Sequence, residues 1–101
     1  RSMAQKQVVW SPRANEEFKS ILEFYLERNG NNTYSLQLLQ LVDSLVKLIQ
    51  EHNSIGRLAN DKSTRVIPFE TFLLFYQFSE SKIEILSVWD NRQNPDKRID
   101  G

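Results

Sequence analysis

Arg65, Tyr76 and Arg92 are the side chains whose types and places go beyond what a core hairpin requires. Arg65 enters one apolar run, Tyr76 lies inside the next, and Arg92 leaves the last in Trp89-Asp90-Asn91-Arg92-Gln93. A planar guanidinium makes paired hydrogen bonds to phosphate oxygens and stabilises charge that develops during phosphoryl chemistry. Arg65 and Arg92 are therefore candidates for that work, with Tyr76 as an aromatic hydroxyl between them. The plainer reading makes both arginines surface ion-pair partners and Tyr76 a core aromatic. Bond cleavage also needs a proton acceptor and a proton donor near their targets. Beyond Arg92 the chain offers Lys97 and Arg98 but neither histidine nor tyrosine. His52, the one histidine, falls at the end of a helical stretch, where a contact with the helix dipole is the simpler role.

The elements that must position these residues follow from pattern. Gln7 to Trp10 is a β-branched run and reads as a first strand. Ser11-Pro12 then supplies a capping hydroxyl and a proline for the first helical position. Ala14, Phe18, Ile21, Leu22, Tyr25 and Leu26 recur at helical spacing, with Glu16, Glu17, Glu23 and Glu27 on a solvated face. Asn29-Gly30-Asn31-Asn32 ends that helix. A second helix is expected over about Thr33 to His52, its apolar face widened by Leu41 and Leu48 beyond what one partner helix covers. Asn53 to Lys62 reads as loop, in which Gly56 is a candidate for a positive φ and Arg57 for a loop anchor.

Thr64–Phe69, Phe72–Ser79 and Lys82–Asp90 are dense in β-branched and aromatic residues and read as strands. The middle run is apolar on both faces, which marks a central strand. Pro68 cannot donate a ladder hydrogen bond, so its strand is an edge or irregular there. The order gives an α+β fold: an N-terminal strand, then an antiparallel helical hairpin packed on a mainly antiparallel sheet that ends in a three-strand meander.

At 101 residues the chain is read as one domain. It carries 13 basic and 13 acidic residues, so the basic surplus that usually accompanies phosphate-backbone binding is absent. A local patch of Arg65, Arg92, Lys97 and Arg98 stays possible. Without cysteine there is no disulfide or thiolate metal site, and no metal-ligand spacing or phosphate-cradling glycine loop occurs. No run is long enough to span a bilayer, and no signal-peptide core stands at the start. Arg1-Ser2 before Met3 reads as a cloning remnant.

The segments Arg65-Val66-Ile67, Leu74-Phe75-Tyr76, Ile83-Glu84-Ile85-Leu86-Ser87-Val88 and Arg92-Gln93-Asn94-Pro95 stand in an order that resembles the RelE/ParE superfamily of bacterial toxins. The resemblance implies the fold just described and a cytoplasmic toxin of a type II toxin–antitoxin system, without cofactor or metal and without a membrane partner. It implies a cognate antitoxin as partner, and Leu41 and Leu48 are the candidates for its contact surface. RNA-cleaving relatives use arginines at the positions of Arg65 and Arg92 during 2′-hydroxyl attack. The missing histidine or tyrosine after Arg92 and the balanced charge favour the ParE branch, whose characterised members poison DNA gyrase; Arg92, Lys97 and Arg98 are then candidates for target contact. A ribosome-dependent mRNA endonuclease and a non-toxic, antitoxin-binding relative are the alternatives.

Overall fold

The computed structural model describes residues 5–100; Arg1 to Ala4, with the Arg1-Ser2 pair expected to be a remnant, and Gly101 lie outside the described residues. Strand β1 (Gln7–Trp10) leads into helix α1 (Pro12–Asn29). The Ser11 hydroxyl accepts the Ala14 N–H at 3.0 Å, as a capping serine before a first-turn proline should. Gly30 ends α1 with φ of 71°, and its N–H donates to the Leu26 carbonyl. Only a residue without Cβ takes that left-handed cap at no steric cost. Helix α2 (Thr33–Glu51) returns alongside α1, tied to it where the Ser35 hydroxyl donates to the Leu22 carbonyl at 2.7 Å.

The expected loop after α2 contains a two-residue strand, β2 (Arg57–Leu58). Strands β3 (Arg65–Phe69), β4 (Phe72–Phe78) and β5 (Lys82–Asp90) complete a five-stranded sheet in the order β1-β5-β4-β3-β2. β1 runs parallel to β5 and every other pairing is antiparallel. β4 is central, as its two apolar faces require. β2 pairs only with Arg65 and Val66, so Pro68 lies where β3 has become an edge.

Both helices lie on one face of the sheet. Ala14 and Phe18 from α1 and Leu38, Val42 and Ile49 from α2 meet Phe72, Leu74, Tyr76, Ile83, Ile85 and Val88. Each large apolar side chain buried there contributes about 1.5–3 kcal/mol relative to exposure. A β-bulge interrupts β5: Phe75 pairs with Ser87 and Tyr76 with Ile85, leaving Leu86 without a partner. Simple alternation from Ile83 would put Trp89 on the helix side. The bulge instead returns Val88 to that side and sends Trp89 to the opposite face, with Val66, Leu73 and Phe75.

Among the described residues that opposite face carries no α-helix, yet its four residues are at most 8% exposed. The segment after β5 covers it. A 3₁₀ turn (Pro95–Lys97) brings the Arg98 guanidinium to 5.8 Å from the Phe75 ring centroid. Arg13 of α1 holds the segment by donating to the Lys97 carbonyl at 2.9 Å. Arg98 closes on Asp100 at 2.8 Å, and that pair holds the Asp100 carboxyl below its ordinary range.

Candidate functional site

Arg92 stands at the end of β5 and is held from three directions. Its Nη2 lies 2.7 Å from Asp90 Oδ2, its Nε donates to Asp90 Oδ1 at 3.0 Å, and its own backbone N–H donates to the same Oδ1. The side-chain bonds from Arg92 are the main reason the Asp90 carboxyl sits below its ordinary range, and they raise the guanidinium in turn. Nη2 also donates to the Tyr25 hydroxyl at 2.7 Å. Tyr25 comes from α1 and packs edge-on against Phe24, Tyr34 and Phe72.

These residues border a cleft of about 490 Å³ between α1 and the free half of β5. Phe24, Tyr25 and Ile21 form one wall; Val88, Trp89, Asp90 and Arg92 form the other. Among the described residues the buried Trp89 Nε1–H has no hydrogen-bond partner. Glu17, read from sequence as one of several solvated carboxylates, does something else. Its Oε1 accepts the Ser87 hydroxyl at 2.6 Å and the Val88 N–H at 3.2 Å. Because β1 ends opposite Ile85, Glu17 takes the place of a strand partner for the exposed edge of β5. Arg13 pairs with its other oxygen at 3.0 Å.

Arg65 and Tyr76 lie elsewhere. They face each other across β3 and β4, whereas Arg92 follows Asp90, which pairs with Phe72 at the other end of β4. Four residues of strand, roughly 13 Å, separate the two ends. The sequence-level patch of Arg65 with Arg92, Lys97 and Arg98 is therefore not assembled. Tyr76 is fully buried; its hydroxyl donates to the Asn53 carbonyl and accepts the Gly56 N–H. Burial pushes the Tyr76 phenol up from its ordinary value. Arg65 donates to the carbonyls of Ser54 at 3.1 Å and Gly56 at 2.8 Å. Arg65, not Arg57, anchors this loop. Gly56 has no positive φ; a Cβ there would lie 2.8 Å from Tyr76 Cε1, so its role is close approach.

Lys97 and Arg98 belong to the segment over the helix-free face, and Arg98 is engaged by Asp100 and Phe75. Leu41 and Leu48 are 41% and 37% exposed, outside the core as the width of the apolar stripe implied. Tyr25 and Glu17 are the residues that sequence reasoning passed over. Tyr25 looked like one more position of the α1 stripe, and only its hydroxyl distinguished it.

A two-helix layer on a mixed sheet, a β5 edge closed by α1 and an arginine at the strand exit define the architecture of type II toxins of the RelE/ParE kind. The chain belongs to the ParE toxin family of the type II toxin–antitoxin system parDE, which it matches over residues 8–95. A chain in the structure of the chromosomal ParDE TA system from P. aeruginosa is 20% identical, with a TM-score of 0.72 over 85% of this chain and 96% of that one. The YoeB dimer from Staphylococcus aureus is also 20% identical, with a TM-score of 0.62 over 85% of this chain and 97% of its own. Among curated proteins none matches at a significant level. No helix among the described residues is long and apolar enough to cross a membrane.

Proposed function

We propose that this toxin arrests growth by binding DNA gyrase, using the cleft beside Arg92 together with Lys97 and Arg98, and that a cognate antitoxin silences it. The observation that carries the reading is the separation of Arg65 from Arg92, each already engaged within the fold. A phosphate entering at Arg92 would meet the Asp90 carboxylate that neutralises it. A phosphate at Arg65 would meet a guanidinium already committed to the Ser54 and Gly56 carbonyls, and a Tyr76 hydroxyl occupied by the same loop. A protein surface, in contrast, can use the exposed Phe24 ring and the Arg92 fork without displacing either arrangement.

One observation favours the alternative, an mRNA endonuclease: Tyr25 places a hydroxyl 2.7 Å from Arg92, where the sequence after Arg92 offers none. Two assays on the same purified chain separate the readings. Gyrase supercoiling is expected to fall with wild-type toxin and to recover with Arg92→Ala. Primer extension on ribosome-bound mRNA is expected to show no new ends. Arg92-dependent cuts at codon positions, with supercoiling untouched, would replace the gyrase reading by the nuclease.

A further inference from the structure

The second half of β5 keeps the hydrogen-bonding groups of a strand edge. The Val88 N–H donates outward, to Glu17 Oε1, whereas the Asn91 N–H donates inward, to the Thr71 carbonyl. In an antiparallel ladder the N–H and C=O of one residue point the same way, and the direction alternates along the strand. Val88 and Asp90 therefore both face away from β4, a parity set by the bulge at Leu86. β1 stops opposite Ile85 and does not reach them. Among the described residues the Val88 carbonyl and the Asp90 N–H have no partner. Such an edge is a template for a further strand, and Glu17 satisfies only one of its donors.

This edge forms one side of the cleft against α1. Val88 and Asp90 are two residues apart, roughly 7 Å, so three residues of an extended segment cover both. Ile21 and Phe24, the latter 52% exposed, offer apolar contact along the way. The two ends differ in charge. Exposed Glu16 stands beside Glu17 at the Val88 end. Arg92 stands at the Asp90 end, and its Nη1 carries no hydrogen bond among the described residues.

We propose that the target enters this cleft as an extended peptide segment that adds a strand to β5, with an acidic side chain at Arg92 and a basic one at Glu16, and that Glu17 is the carboxylate it displaces. The inference rests on the cleft being the target's site, as proposed above, and deepens that reading. Main-chain pairing supplies affinity in such an arrangement, while the charges at its two ends set the direction and choice of segment. Glu17 holds the edge while no segment is bound. It can leave without becoming an unpaired charge, because Arg13 stays at its other oxygen.

Two probes test this. The first is gyrase holoenzyme, whose affinity for the toxin is measured directly. Glu17→Ala, although less stable, is expected to bind about fivefold more tightly, the equivalent of one net hydrogen bond no longer contested. A Glu17 that only held the fold would leave affinity unchanged or lower it on removal. Phe24→Ala is expected to weaken binding at least about fivefold. Lys19→Glu, on the exposed face of α1, is expected to leave it unchanged. Thermal unfolding of each variant checks that the fold persists.

The second probe is the capped peptide Lys-Val-Thr-Val-Glu, titrated into labelled toxin. It is expected to shift the amide resonances of Val88 and Asp90, and its counterpart N-methylated at every interior amide is expected not to. Unchanged or weaker gyrase affinity in folded Glu17→Ala would overturn the proposal, as would equal shifts with the N-methylated peptide. Tightening in Glu17→Ala that appears only as self-association, or only toward the antitoxin, would assign the edge to that partner and overturn it too. A toxin that takes the peptide on β5 yet does not bind gyrase would keep this inference and remove the gyrase reading. Gyrase inhibited with no response at Val88 and Asp90 would remove this inference alone.

Discussion

Arg65 and Tyr76 are direct partners across β3 and β4, and both direct their polar atoms at the same loop. Together they engage Asn53, Ser54 and Gly56, fixing the passage from α2 to β2. Two residues that sequence marks for chemistry therefore act here as the anchor of a connection. A buried hydroxyl that both donates and accepts leaves two backbone groups stranded when it is removed.

Tyr76→Phe is accordingly expected to destabilise the chain by about 1–3 kcal/mol. Gly56→Ala should cost a similar amount, about 1–3 kcal/mol, because the added methyl presses on the Tyr76 ring. Urea unfolding of both variants, with hydrogen exchange at residues 53–58, checks this. A Tyr76→Phe chain as stable as wild type would show that the loop finds other partners.

Glu17→Ala is expected to cost about 1–3 kcal/mol, since the Val88 N–H and Ser87 hydroxyl both lose their acceptor at a half-buried edge. Glu17→Gln keeps an acceptor oxygen and should recover part of the loss. If instead the role of Glu17 were its ion pair with Arg13, Arg13→Ala would reproduce the whole effect.

The Asp90–Arg92 pair gives a pH signature. Hydrogen bonds from Arg92 lower the Asp90 carboxyl, so the folded chain binds that proton less readily than the unfolded chain does. The stabilisation is then full above the unfolded value, about 3.9, and is lost as pH falls through the lower folded value. Wild type and Asp90→Asn should differ in melting temperature at neutral pH and converge on acidification. Asp61, lowered by its bonds to Thr64 and Ser63, contributes in the same direction. A gap that widens at low pH would contradict the assignment.

Deleting residues 95–101 is expected to uncover Val66, Leu73, Phe75 and Trp89, at about 1.5–3 kcal/mol for each large side chain re-exposed. Trp89 is the reporter: its fluorescence should shift to the red while Trp10, stacked on Phe18, stays where it is. Arg98→Ala should give a smaller shift in the same direction. An unchanged spectrum in the deletion would mean that other groups cover this face.

Sequence by itself determined the features whose causes are local. The capping hydroxyl of Ser11, the left-handed stop at Gly30, the helical period of α1 and α2 and the two-faced apolar strand β4 each depend on neighbours a few residues away. Pro68 told of an edge because a missing donor can be read from the residue alone. Tertiary structure decided the rest. Tyr25 meets Arg92 across 67 residues, and Glu17 reaches Ser87 across 70. Those meetings depend on β1 pairing parallel to β5, which lays α1 along the free half of that strand. The bulge at Leu86 then chooses the face of Trp89, and register along β4 holds Arg65 and Arg92 apart. Neither choice has a signature in composition or period, because a hydrophobic pattern specifies which residues are buried but not which distant polar groups closure of the sheet will bring together.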